Sequence, residues 1–265
     1  MVTIERNGDL RSAFLKIGWS PLITICGVII LCIVAVVMAF SSIPLEDDSL
    51  SALNHSLATI KIIIVGSSLL SLIGYFLTYA GFSQASKALR VTPAGSALST
   101  IRVIFMIFTI TSAISFLFIL LLPDTMSYYM RFDADAAESL PALRTGVILM
   151  IVYSIFMVIF SIAALFILRN KMRTVYRTTN IKSLHGAYVG ANMAVYTFFA
   201  SVLSGFISGL AGPSDNGNSL TTVAELITIG LAIYALVRWI GGWLGAAGEV
   251  MHHPVEAEEY PQQYN

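Results

Sequence analysis

The chain of 265 residues is 57% hydrophobic and only 11% charged, against about 25% charged residues in ordinary soluble domains, and its mean hydropathy is +0.81. Fifteen Lys and Arg offset 15 Asp and Glu, which excludes the overall basic excess of a nucleic-acid binder and leaves charge polarity to be read loop by loop. The composition is that of an all-α, polytopic integral membrane protein.

Arg6, Arg11 and Lys16 precede the first apolar run, near 19–40. A cleavable leader has an apolar stretch of about 7–15 residues, so this longer run is expected to be a first span. Cys26 and Cys32 within it stand about 240° apart around a helix and cannot bridge each other. Further runs of about 20 residues, enough to cross the hydrocarbon core, follow near 60–82, 101–122, 146–168, 188–211 and 221–243. A bundle of six transmembrane helices is therefore predicted over 1–246. The stretch SYYMRFDADAAESLPAL, between the third and fourth spans, reads as a segment along the outer surface with its tyrosines at headgroup depth. Its Asp133, Asp135 and Glu138 lack the spacing and glycine of a calcium loop and read as solvated acids. Residues 247–265, ending in HHPVEAEEYPQQYN, are polar and acidic and are expected to form a flexible cytoplasmic tail.

Cations gather on alternate connections. Arg6, Arg11 and Lys16 precede span one, Lys87, Arg90 and Arg102 lie between spans two and three, and Arg169, Lys171, Arg173, Arg177 and Lys182 follow span four. The other connections hold Lys61, Arg131 and Arg144 beside Glu46, Asp47, Asp48, Asp124, Asp133, Asp135 and Glu138. By the positive-inside rule both termini are cytoplasmic, in a cell membrane, plasma or inner. Arg169, Lys171, Arg173 and Arg177 become candidate contacts for anionic lipid on that face.

Two helices carry seams of small residues. In span two, Ser67, Ser71, Gly74, Thr78, Gly81, Ala85 and Ala88 alternate steps of four and three; in span five, Gly190, Ala194, Thr197, Ser201, Ser204, Ser208 and Ala211 do nearly the same. Lipid tails are as apolar as leucine, so helices associate by close backbone packing and interhelical hydrogen bonds, which such residues permit. The seams therefore read as packing surfaces, or else as a hydroxyl-lined passage. Gly205 with Gly209, and Gly241 with Gly245, add GxxxG pairs. Spans one to three and four to six would make inverted halves, with the seam helices in matching places, although no residue-level similarity links them.

Span six carries Glu225 and Arg238, about 220° apart around the helix and hence unable to pair. Arg238, with Trp239 and Trp243, reads as a guanidinium reaching phosphates while the indoles sit at headgroup depth. It is also a candidate anion contact, because it shares a four-and-three rhythm with Ala235 and Gly242. Glu225 and Lys61 lie at similar depth and form a candidate ion pair.

His55, His185, His252 and His253 all fall in loops or the tail, so no intramembrane haem ligation is expected. HExxH and phosphate-loop motifs are absent, the serines have no buried histidine base, and His252 and His253 with Glu249 read as polar tail residues. The expectation is a non-enzymatic protein with no cofactor or metal, serving as a structural or accessory subunit of a larger membrane assembly. Its partners would be membrane lipids, other membrane subunits or further copies of itself, and not nucleic acid. The alternative is a small transporter or channel for a neutral or weakly polar solute along the seams of spans two and five.

Overall fold

The computed structural model describes residues 2–4, 7–41, 49–121, 141–211 and 215–257. In chain order these form β1 (Val2–Ile4), α1 (Asn7–Ser41), α2 (Ser49–Ala88), α3 (Pro93–Leu121), α4 (Pro141–Thr178), α5 (Leu184–Ala211), α6 (Asp215–His252) and β2 (Val255–Ala257). The described chain is thus all-helical apart from two short strands, and all six helices are long and apolar enough to cross a membrane. β1 and β2 pair antiparallel, Val2 opposite Ala257, so the two ends of the described chain meet.

The helices outrun the apolar stretches seen in sequence. α1 begins at Asn7, α4 runs to Thr178 and α6 to His252. A hydropathy window ends where charges enter, whereas a helix continues if one of its faces finds a core. Residues 247–257, read from sequence as the start of the tail, complete α6 and form β2, with Ala247, Val250, Val255 and Ala257 buried. The acidic connections at 42–48 and 122–140, and the tail from 258 onward, lie outside the described residues.

The contacts divide the chain into two compact units: unit 1 is Met1–Pro21, Leu77–Phe105 and Ile162–Asn265, and unit 2 is Leu22–Phe76 and Met106–Ser161. Unit 1 has a core of the kind that water drives together. Leu10, Phe14 and Ile17 on α1, Met172 and Val175 on α4, and Trp243 and Val250 on α6 are fully or almost fully buried, while Arg11 on α1 and Arg173 and Arg177 on α4 are exposed, as are Lys87 near the end of α2 and Arg90 after it. Trp243 is the hub, with its ring 5.2 Å from Phe14, 5.4 Å from Phe82 and 5.6 Å from Trp239. It therefore packs inside unit 1, because its face of α6 is the one turned to α1 and α2.

Local chemistry sets the ends. Thr92 caps α3, accepting from the Gly95 N–H at 3.2 Å, and Pro93 follows at the first helical position, where its missing N–H has no partner to lose. Pro21 inside α1 deprives the Ile17 carbonyl of its helical donor. The Ser20 hydroxyl donates to that carbonyl at 3.5 Å and also hydrogen-bonds Thr78 of the α2 seam.

α5 meets α6 backbone to backbone. A Cβ on Gly190 would stand 2.6 Å from the Trp239 nitrogen and 2.8 Å from the Ala235 oxygen, and one on Gly242 would collide with the Gly186–Ala187 peptide. On α5 and α6, Gly205, Gly230 and Gly241 instead face open space. In unit 2 the fit between α1 and α2 is reciprocal: Leu70 lies over Gly27 and Leu31 over Gly66.

Gly190→Ala and Gly242→Ala should each destabilise the protein by about 1–3 kcal/mol through overpacking, read as a lowered Tm in detergent. Gly230→Ala should be neutral or stabilising by about 0.5–1 kcal/mol, because it removes helix-interior backbone freedom without a clash. Equal responses at the three positions would contradict the packing described.

Candidate functional site

Among the described residues, hollows with polar walls occur in both units. In unit 2, α2, α3 and α4 line an open hollow of about 320 Å³. Ser67, Ser68, Ser71 and Tyr75 come from α2, Thr111, Ser112 and Ser115 from α3, and Tyr153 and Ser161 from α4, with Phe108 and Met157 between them. The Ser115 and Tyr153 hydroxyls are 2.9 Å apart, and the Tyr153 hydroxyl also donates to the Thr111 carbonyl at 3.5 Å. Tyr75 stacks on Phe108 at 5.4 Å, and Phe108 meets Phe160 edge-on at 5.1 Å, which fixes the aromatic wall. Ser67 donates to Ile64 O and Thr111 to Ile107 O, so these two hydroxyls satisfy their protons within their own helices while their oxygens can still accept. The hollow offers hydroxyl donors and acceptors without a charged group, the chemistry of a site for a neutral polar group.

The α2 seam contributes Ser67 and Ser71 to this hollow, while Gly74, Thr78 and Gly81 are buried; a Cβ on Gly81 would stand 2.8 Å from the Ala13 carbonyl oxygen of α1. The α5 seam does not join them. Thr197 and Ser201 donate to the carbonyls of Met193 and Thr197, each at 3.0 Å. Ala194 and Thr197 are half-buried, Ser201 is exposed and Ser204 is buried; the side chain of Ser208 lies outside the described residues. Close contact on α5 falls at Gly190, the first residue of the seam, and at Gly186 and Ala187 before it.

In unit 1 a second hollow, of about 430 Å³, lies beside the first turns of α5, with Arg238 of α6 on its wall together with Lys182, Ser183 and His185. The Nε of Arg238 is buried and has no hydrogen-bond partner. Arg169 and Lys171 are half-buried on α4, and Arg173 and Arg177 are exposed there; none of the four lines this hollow. Glu225 is exposed on α6, and the side chain of its expected partner Lys61 lies outside the described residues.

Glu249 has a role that sequence reading did not assign. Its carboxylate accepts from the Lys182 N–H at 2.9 Å, the Ser183 N–H at 3.0 Å and the Ser183 hydroxyl at 2.8 Å, closing the N-terminal end of α5 from a different helix. Asn180 ties the same turn to the C-terminal strand: its side chain accepts from Glu256 N–H and donates to Pro254 O, and its N–H donates to Glu256 O. A carboxylate 66 residues from the serine it holds leaves no local spacing signal to find. Among the described residues no group of three or more His, Cys, Asp or Glu is placed to hold a metal ion.

No protein-family model matches this chain, and no curated protein and no solved structure matches it.

Glu249→Ala should release the 181–186 turn. The expected loss is about 1 kcal/mol, as for other helix-end caps, with faster amide hydrogen exchange at Lys182 and Ser183 than in the parent. Unchanged exchange there would show that the cap contributes nothing.

Proposed function

We propose that this chain is a non-enzymatic, multi-pass integral membrane protein that works as a structural or accessory subunit of a larger membrane assembly. The observation carrying this reading is the closed seam between α5 and α6, where no methyl group fits at Gly190 or Gly242. Such a pair moves no solute between its helices; it presents a fixed apolar surface, with Val202, Leu203, Phe206, Leu226 and Ile227 all more than half exposed, to lipid or to a neighbouring helix. The orientation follows from charge. β1 pairs with β2, which supports a shared side for the termini, and Arg11, Lys16, Lys87, Arg90, Arg102, Arg169, Lys171, Arg173, Arg177 and Lys182 belong to the same unit. The positive-inside rule then makes that side cytoplasmic, in the plasma or inner membrane. Anionic headgroups are the complementary partner for these cations, each contributing about 1 kcal/mol near the surface.

The hydroxyl-lined hollow favours a second reading, a transporter or channel for a neutral, weakly polar solute. Here the passage would involve α2, α3 and α4 rather than the seams of spans two and five together.

Two measurements separate the readings. Native mass measurement from mild detergent should find the chain with partner subunits or further copies of itself, and a bare monomer under conditions that preserve other complexes would sink the assembly role. Stopped-flow swelling of vesicles containing the protein should show no glycerol or urea flux above empty vesicles. A flux abolished by Ser71→Leu, with folding intact, would establish the second reading instead.

A further inference from the structure

The Nε of Arg238 is a buried donor without an acceptor, on a side chain that is itself half-buried. Its Nε is shut off from solvent and unbonded, and an unsatisfied donor of this kind, on a charged group, is among the most unfavourable features a protein can retain. It borders a hollow of about 430 Å³ that also draws on Lys182, Ser183 and His185, within the size range of small-ligand pockets, about 300–1,000 Å³. The backbone of the adjoining α5 turn has no N–H to spare: Glu249 takes those of Lys182 and Ser183, and Ile181, Lys182 and Ser183 carbonyls take those of Leu184, His185 and Gly186. Glu249 itself does not line the hollow. An occupant must therefore be held by side chains, and these are an arginine, a lysine and a histidine with no carboxylate among them.

We infer that this hollow is a binding site for a single phosphate group, gripped by the Arg238 guanidinium and flanked by Lys182 and His185. A planar guanidinium offers two parallel N–H donors that match two phosphate oxygens, a geometry that a lone ammonium cannot supply. Gly241, where a Cβ would meet nothing within 4 Å, leaves the α6 wall open at that point, so the phosphate can enter there carrying its ester substituents. Val237, beside the arginine and 60% exposed, gives the rim an apolar surface. The phosphate can come from a lipid headgroup or from a soluble phosphate, and the chemistry of the grip is the same. The site rests on the anionic-lipid face proposed above, but it is separable from it: the face predicts diffuse, salt-sensitive association, and the site predicts one saturable event.

The test uses the full-length protein in detergent, depleted of lipid, with Tm followed against added phosphatidylglycerol, diacylglycerol or inorganic phosphate. The parent should be stabilised saturably by phosphatidylglycerol and not by diacylglycerol. An equal response to inorganic phosphate identifies a soluble source, whereas a response to phosphatidylglycerol alone identifies a lipid. Arg238→Gln should weaken the apparent affinity by about tenfold or more, as expected for loss of a charge-assisted bidentate contact, with Arg238→Lys intermediate. If Arg238→Gln does not fold, Gly241→Asp decides, because a Cβ at Gly241 meets nothing within 4 Å and its carboxylate would repel phosphate at the rim. Salt-sensitive binding of these variants to anionic vesicles should persist, since the cations of α4 are untouched; its loss in the parent would count against the face and leave the site to the inorganic phosphate titration. No stabilisation of the parent by either phosphate-bearing probe, or parental affinity in the folded variants, overturns the site.

Discussion

At Gly190 and Gly242 two helix backbones lie too close for a methyl group, and much of unit 1 depends on the register this contact imposes. Between apolar helices in lipid there is no hydrophobic gain from association, so contact must come from dispersion at short range. Glycine allows that range, and its placement settles which residues of α6 face α5. Once Gly242 sits on the Gly186–Ala187 peptide, Trp243 turns toward Phe14 and Phe82, and Glu249, two helical turns further on, comes under the first residues of α5. The same register brings the Arg238 carbonyl within 3.3 Å of where a Gly186 Cβ would be and sets its guanidinium beside the hollow.

Within unit 1 the pattern of exposure changes along the helices. The ends of α1, α4 and α6 within it bury Leu10, Phe14, Met172, Val175 and Val250 and turn cations outward, the arrangement water enforces. Further along α5 and α6 the order reverses. Phe206, Leu226 and Ile227 are exposed, and the buried residues are small, including Ala191, Ser204 and Ala235. The short strand pair between β1 and β2, with Asn180 and Thr179 beside it, belongs to the first regime, where backbone groups must find partners that helices no longer provide.

Polarity inside the chain is spent in distinct ways. The Thr197 and Ser201 hydroxyls of α5 are committed to carbonyls of their own helix. Ser20 offsets the break that Pro21 makes in α1 and secures Thr78 of α2. On α2, α3 and α4 of unit 2, hydroxyls from several helices face one volume. Charge is treated differently again: Glu249 is saturated with donors, whereas Arg238 keeps an unmatched one. The contrast between these two residues, both on α6, is why a ligand is argued for one and a structural role for the other.

How much of this was legible in the sequence follows from the range of the interactions involved. Six spans, the clustering of cations on alternate connections and the small-residue line on α2 are written in composition and in three- and four-residue spacing, because hydropathy and helical periodicity act within about 20 neighbouring residues. The lengths of the helices beyond their apolar cores were not legible, since α4 and α6 continue only because Met172, Val175 and Val250 find a core made by other segments. Nor was the partner of the α5 seam. Its rhythm included Gly190, where α6 offers the backbone at Ala235 and Trp239, but not Gly186, which meets Gly242. Glu249 was read as a tail residue, because its setting is made by a turn more than fifty residues away in the chain; Arg238 was read as a headgroup anchor and candidate anion contact, but Lys182, Ser183 and His185 beside it come from that same distant turn. Local sequence determines which helices form and which solvent each face tolerates; which glycine meets which backbone, and so which charge is matched, is decided only when all the helices pack.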